Sequence, residues 1–305
     1  MRINLGITLR RLVAAVAFAA AIALGQASLA VVVSSTTLNS TAPPDDPGFA
    51  NVGRSGGGTA VYIGNQWALS AWHVTSTAFT WGATSYNVVQ SIQLTNPDSS
   101  TTDLRLFRID GDPGLPSLSL ASWLPLVGSQ VTMIGNGRLP FDANSDNMPD
   151  PTYWDGSWNE VTSSDPYDYE GYQTSPTKGV RWGNNLIEQT GVFSLGTHGF
   201  LTQFDQNGLQ YEAQAVAGDS GGGVFYTNGS QWELLGIMLG VATISGQPGG
   251  VNTAVFGNQT FMADLSVYRN QILAITIPEP GTGIMLFTAA IACAAFGRRR
   301  RRGIG

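Results

Sequence analysis

The segment Ala217-Gly218-Asp219-Ser220-Gly221-Gly222-Gly223 does most to decide the fold of this 305-residue chain. Four glycines surround one serine, so the backbone can turn sharply and a second chain can approach the serine hydroxyl closely. A serine hydroxyl is a weak nucleophile near neutral pH and needs a base within hydrogen-bonding reach. Histidine is the usual base for a serine nucleophile, and the chain has only two histidines.

The two histidines lie in different sequence contexts. His73 ends the β-prone run Leu69-Ser70-Ala71-Trp72-His73-Val74, whereas His198 lies in the turn-like segment Gly196-Thr197-His198-Gly199. We interpret His198 as a surface or structural residue and His73 as the base. With two histidines and one cysteine, at position 293, a catalytic zinc site is not expected.

A carboxylate is the third group that such a site requires. Asp103 opens the apolar run Asp103–Ile109, where a carboxylate is costly unless it is hydrogen-bonded. Paired with His73, it can orient the ring and stabilise the imidazolium. We therefore predict a catalytic triad of His73, Asp103 and Ser220, with the backbone N–H groups of Gly218 and Ser220 as the oxyanion hole.

Together, segments 69–74, 102–107 and 217–223 resemble the motifs of the trypsin-like (chymotrypsin-fold) serine peptidases. Those motifs are a Ser-Ala-Ala-His-type strand end, an Asp-Leu-Ala-Leu-type strand and Gly-Asp-Ser-Gly-Gly. The resemblance covers about residues 59–275. It implies an all-β fold of two packed six-stranded antiparallel β-barrels with a C-terminal helix. It also implies an endopeptidase that forms an acyl-enzyme on Ser220 and needs no cofactor, with Gln214 at the floor of the primary substrate pocket.

The order of the motifs removes one competitor and leaves two. The α/β-hydrolases also carry a Gly-x-Ser-x-Gly motif, but their histidine follows the serine, and here both histidines precede Ser220. One remaining alternative is a non-catalytic surface or matrix protein that uses the peptidase scaffold for binding; Trp72, beside the base, and an aromatic insertion favour it. The other is a secreted esterase with the same triad.

Both ends of the chain are interpreted as targeting signals. Residues 1–30 combine a basic start, the apolar run Leu12–Leu24 and a small-residue site at Ser28-Leu29-Ala30, as a secretory signal peptide does. Pro278-Glu279-Pro280, the apolar stretch 281–297 and five arginines resemble the PEP-CTERM sorting tail of Gram-negative bacteria. That resemblance implies a membrane helix that holds the chain transiently in the inner membrane, with the arginines on the cytoplasmic side. It also implies processing by an exosortase and release to the cell surface or extracellular matrix.

The charge of the remaining body narrows the choice of partners. Residues 31–280 hold all 21 acidic residues but only 7 of the 15 basic ones, so their net charge is −14. Such a surface argues against nucleic acid as a partner. A polypeptide substrate and the exosortase-type processing enzyme are the partners that we expect.

The body divides into three predicted parts. Residues 31–58 are interpreted as an extended leader, 59–125 as the N-terminal barrel, and 126–277 as the C-terminal barrel with a polar insertion at 140–178 and a final helix. Asp264 is expected to cap that helix, whose Leu265, Tyr268 and Ile272 share one face. In the insertion, oxygen-bearing side chains alternate as in a calcium loop, although the usual glycine is missing: Asp142, Asn144, Asp146 and Asp150. We interpret this stretch as a solvated acidic loop.

Overall fold

The computed structural model describes residues 31–193 and 196–277. The predicted signal peptide and sorting tail lie outside these residues, as does the predicted membrane helix. Within the described part, no helix is long and apolar enough to cross a bilayer.

A closed barrel of six antiparallel strands forms the first half of the fold. Its strands, in the order β2-β3-β4-β7-β6-β5 around the barrel, are β2 (Val52–Ser55), β3 (Gly58–Gly64), β4 (Trp67–Ala71), β5 (Ala78–Trp81), β6 (Thr84–Thr95) and β7 (Thr101–Ile109). Strand β5 pairs with β2, which closes the barrel. Strand β2 lies inside the segment interpreted from the sequence as a leader, so the barrel begins before residue 59.

Successive side chains of β3 point to opposite faces of the barrel wall, and both sets are buried. Ala60 and Tyr62 pack into the barrel interior with Phe79 and Phe107. Val61 and Ile63 face the other way, into a larger apolar cluster that includes residues of the second sheet and the C-terminal helix. The two halves of the molecule therefore share one continuous apolar core.

A seven-stranded antiparallel sheet forms the second half, in the order β13-β8-β17-β18-β20-β15-β14. Its strands are β8 (Gln130–Gly135), β13 (Arg181–Leu186), β14 (Gln189–Val192), β15 (His198–Gln203), β17 (Gly223–Thr227), β18 (Trp232–Ala242) and β20 (Gln259–Asp264). The predicted all-β class of chymotrypsin type is confirmed; the second set has one strand more than the predicted six.

Short strands complete the fold, and two of them attach the N-terminal segment. Strand β1 (Val32–Val33) pairs with β16 (Ala213–Gln214), so the start of the described chain is anchored in the second half. The polar insertion forms its own sheet with a later strand: β9 (Arg138–Pro140), β10 (Pro151–Trp154), β11 (Glu160–Val161), β12 (Tyr169–Lys178) and β19 (Thr253–Val255).

The helix α1 (Leu265–Thr276) ends the described chain. The side chain of Asp264 accepts a hydrogen bond from the amide of Ser266 at 2.9 Å and so caps the helix. Leu265, Tyr268 and Ile272 are buried on one face. The predicted cap and buried face are both confirmed.

Candidate active site

The structure brings His73 and Asp103 into direct contact. His73 follows the end of β4, and Asp103 lies in β7, which pairs with β4. The imidazole Nδ1 lies 2.8 Å from Oδ2 and 3.1 Å from Oδ1 of Asp103. The backbone amide of His73 also donates to Oδ1, at 3.0 Å. These contacts fix the ring and its tautomer, because a carboxylate accepts hydrogen bonds and Nδ1 must then carry the proton.

Burial differs sharply between the two partners. The Asp103 side chain is 2% exposed and that of His73 is 46% exposed. The carboxylate is fixed further by its own backbone, since the amide of Asp103 donates to Oγ1 of the buried Thr197 at 2.8 Å. One side of the imidazole is therefore held by a shielded acid, and a large part of the ring remains open to a substrate.

Ser220 lies in the tight loop between β16 and β17. Thr59 of β3 secures this loop: its amide donates to Ser220 O at 2.9 Å and its hydroxyl donates to Gly218 O at 2.8 Å. From the second sheet, the carbonyl of Met238 accepts the amide of Gly221 at 2.7 Å. Gly218 and Gly221 have φ values of +101° and +91°, which favour glycine strongly. The loop is thus anchored by both halves of the fold.

One pocket of about 350 Å³ contains the base and the candidate nucleophile. His73, Gly218 and Ser220 line it, together with Gly57 and Gly58. The hydroxyl of Ser220 donates to Leu239 O at 3.4 Å, and among the described residues it has no hydrogen bond to the imidazole. A serine side chain moves between staggered positions by one torsion, so its hydroxyl can be redirected without moving the backbone.

The amides of Gly218 and Ser220 are available for a ligand. Within the described chain, neither nitrogen donates to a protein acceptor. The carbonyl oxygens of the same two residues are tied to Thr59, which fixes the peptide planes. Two fixed N–H groups beside a serine hydroxyl can stabilise the negative charge that develops on a carbonyl oxygen under attack.

Asp219 supports the loop from behind. Its carboxylate is buried and accepts the amides of Gly137 and Val216, each at 2.8 Å, and of Val31 at 3.4 Å. Burial raises the pKa of Asp219 to about 7, against the lowering effect of these hydrogen bonds. The carboxylate therefore joins the start of the described chain, the turn after β8 and the loop that carries Ser220.

Two further sequence candidates lie away from the pocket. Gln214 is fully buried in β16, paired with Val32, and its Nε2 donates to Ala215 O at 3.2 Å. It is not among the described residues that line the pocket with Ser220, so its role as a pocket floor stays a prediction. The ring of Trp72 stacks on the guanidinium of Arg105 at 4.2 Å rather than lining that pocket.

The acidic loop of the insertion is held by its own hydrogen bonds. Asp142 and Asn144 both accept the amide of Asp146 at 3.1 Å, and Asp150 accepts the amide of Ala143 at 2.6 Å. Over the described residues, no group of three or more His, Cys, Asp or Glu could hold a metal ion. We propose no calcium site here.

Two models of known protein families match parts of this chain. Residues 58–237, more than half of the chain, match the family model of the trypsin-like peptidase domain. The chain belongs to the trypsin-like peptidase family. Residues 276–302 match the PEP-CTERM protein-sorting motif. Both resemblances noted in the sequence are confirmed, and the chain is a serine-protease-like protein with a tail for export and sorting to the cell surface or beyond it.

Solved structures of the same type align over most of the chain. The Rv3671c protease of Mycobacterium tuberculosis is 16% identical, over 80% of this chain and 89% of that one, with a TM-score of 0.44. Neuropsin, a serine protease of mouse brain, is 17% identical over 71% and 87%, with a TM-score of 0.42. The NS6 protease of murine norovirus 1 is 14% identical over 73% and 93%, with a TM-score of 0.38. No curated protein matches this chain significantly.

Sequence reasoning did not find the residues that hold the site in place. Thr59 and Thr197 anchor the Ser220 loop and the Asp103 backbone, and Lys178 reaches the pocket wall through a hydrogen bond from Nζ to Gly57 O. Each acts across more than 90 positions of sequence. Short local motifs contain no signal for such contacts.

Proposed function

We propose that this chain is an exported serine endopeptidase that hydrolyses peptide bonds through an acyl-enzyme on Ser220. The observation that carries the proposal is the two-oxygen contact of Asp103 with His73, in a pocket that His73 shares with Ser220. With a buried carboxylate on Nδ1, the neutral imidazole carries its proton on that nitrogen, and its Nε2 can accept the serine proton.

The reaction follows from the positions of these groups. Rotation of the Ser220 side chain turns Oγ towards His73, which takes its proton as Oγ attacks the substrate carbonyl. The amides of Gly218 and Ser220 bind the resulting oxyanion, and Asp103 stabilises the imidazolium. His73 then protonates the leaving amine, and a water molecule, activated by the same imidazole, releases the acyl group.

Processing at both ends is part of the proposal. Removal of residues 1–30 after Ala30 would make Val31 the first residue of the mature protein. An exosortase would process the tail near Pro278-Glu279-Pro280, after residues 281–297 have paused in the inner membrane. The mature peptidase would then work on polypeptides at the cell surface or in the extracellular matrix.

Hydrolysis by the processed protein tests this function. We expect the protein recovered from the cell exterior to cleave casein, Ser220→Ala to abolish cleavage, and Ser230→Ala to leave it unchanged. Ser230 is a matched control because it is exposed, in the turn after β17. Turnover of simple acyl esters without cleavage of casein would favour the secreted esterase instead. Absence of both activities would favour the non-catalytic protein that uses the peptidase scaffold for binding.

A further inference from the structure

A second cavity, of about 300 Å³, adjoins the candidate active site. Strand β2, strand β5, the turn after β8 and the end of β12 form its walls. Its polar lining comes from Arg54, Thr80, Asn136 and Lys178. Apart from these groups, the lining consists of glycine and valine, so the polar groups define what the cavity can bind.

Lys178 separates this cavity from the catalytic pocket. Its Nζ donates to the carbonyl of Gly57, and Gly57 lines the pocket with His73 and Ser220. A Cβ built on Gly218 would lie 3.0 Å from the same Nζ. Since an extended chain advances about 3.3–3.6 Å per residue, a peptide lying across Ser220 reaches this cavity within about two residues.

The cavity offers positive charge and hydrogen-bond donors. Arg54 is exposed, and neither Arg54 nor Lys178 forms an ion pair with any described carboxylate. No acidic residue is among the lining residues, although acidic residues outnumber basic ones 21 to 15 in the whole chain. Lys178 interacts electrostatically with the buried carboxylate of Asp219, whose oxygens already accept three backbone amides.

The side-chain amide of Asn136 adds a hydrogen-bond donor that has no acceptor within the described chain. The residue is 7% exposed, and its Nδ2 has no hydrogen-bond partner within the described chain. Its backbone is fixed, because its amide donates to Oγ1 of Thr59 at 2.9 Å. A buried donor without an acceptor is unfavourable. Because Nδ2 itself is buried, the Asn136 side chain must rotate to offer this donor to an acceptor in the cavity.

We propose that this cavity is a subsite for the carboxylate of an aspartate or glutamate side chain of the substrate, within two residues of the scissile bond. Two cations and an amide donor match the acceptor-only chemistry of a carboxylate. The inference rests on the proposed peptidase function, because it takes the bound ligand to be a peptide across Ser220.

Binding can be measured without catalysis. The probes are acetylated and amidated decapeptides of alanine, glycine and serine, each with one glutamate or, as its neutral match, one glutamine at the same position. Their affinity for the exported Ser220→Ala protein is measured by isothermal titration calorimetry. We expect glutamate to bind about tenfold more tightly than glutamine at one position or two neighbouring positions, as a charge-assisted hydrogen bond implies.

Charge-matched variants assign the effect to the cavity. Arg54→Met and Lys178→Met should each reduce the glutamate preference to threefold or less, whereas Arg108→Met should keep it. Arg108 is exposed, lies outside the cavity and carries the same charge. Arg54 is also exposed, so its variant tests the idea even if Lys178→Met fails to fold.

Two results would overturn the proposal. They are equal affinity for glutamate and glutamine peptides at every position, and a loss of the glutamate preference in Arg108→Met that equals the loss in Arg54→Met and Lys178→Met. Failure of the peptidase function would show separately, as an absence of hydrolysis by the wild-type protein while glutamate binding to Ser220→Ala persists.

Discussion

Asp219 carries a buried carboxylate, so its contribution to stability depends on pH. Its pKa in the folded chain is raised from 3.8 to about 7 by burial. Because the folded pKa lies above the unfolded one, the contribution is fully present below about pH 4 and is lost as the pH rises through about 7. A difference of about three pKa units, at about 1.36 kcal/mol each, corresponds to a loss of about 4 kcal/mol.

The proposed removal of residues 1–30 changes this balance. The nitrogen of Val31 lies 3.4 Å from Oδ1 of Asp219, and the cut converts it from a peptide amide into an ammonium group. An ammonium at this distance favours the ionised carboxylate and lowers its pKa. The processed protein should therefore lose little stability between pH 4 and pH 8.

A single inserted residue tests this reasoning. Glycine placed between Ala30 and Val31 restores an amide at Val31 and moves the ammonium away by about 3.8 Å. A matched control has the same insertion between Pro44 and Asp45, which are both exposed. Urea unfolding of each exported protein is measured from pH 4 to pH 8, after mass spectrometry confirms its N-terminus.

At pH 8 we expect the first insertion to lower the free energy of unfolding by about 2–4 kcal/mol, a large part of the Asp219 effect. The control insertion should lower it by less than about 0.5 kcal/mol. At pH 4 the deficit of the first insertion should shrink, because Asp219 is then protonated in that variant. Superimposable pH profiles for wild type and the first insertion would refute the pairing of Val31 with Asp219.

Three further predictions follow from contacts in the structure. Asp103→Asn should lower kcat for peptide hydrolysis by about 10⁴ with little change in KM, because the wrong imidazole tautomer is then favoured; steady-state kinetics with a chromogenic peptide measures this, and a loss below tenfold contradicts it. Gly221→Ala should destabilise the fold by at least about 2 kcal/mol in urea unfolding, since the φ is +91° and the new Cβ would lie 2.0 Å from Thr59 O. Burial raises the pKa of Glu212 from 4.5 to about 7, so its contribution to stability falls by about 3 kcal/mol as the pH rises through that range. Glu212→Gln should flatten this part of the pH profile of the free energy of unfolding, and an unchanged slope would count against the assignment.

The sequence predicted some of the strands that position the candidate site and missed others. His73 and Asp103 meet because β4 and β7 pair with Ala71 opposite Leu104, and the sequence showed both strands. It did not show β2, whose four residues Val-Gly-Arg-Ser have little β pattern and form a strand only through pairing with β3 and β5. Conversely, Leu209–Ala217 has the pattern of a strand, but it forms only the two-residue strand Ala213–Gln214 and an isolated bridge from Glu212 to Asn184.

Contacts between distant segments account for the features that the sequence did not predict. The pairing of β16 with Val32 and Val33, the contact of Asp219 with Val31, and the cavity that includes Arg54 and Lys178 all join distant segments. The local sequence shows which side chains are apolar or charged, but the tertiary structure determines which of them come into contact. The buried state of Asp219 is the clearest case, because its motif alone gives no hint of three amide donors.

The central claim is that Asp103 and His73 activate the hydroxyl of Ser220. Labelling of the exported protein with a fluorophosphonate, followed by mass spectrometry of the adduct, tests it most directly. The account predicts one adduct, on Ser220, that forms at least about 10³ times more slowly in His73→Ala. An adduct on a different residue, or equal labelling rates for wild type and His73→Ala, would contradict it.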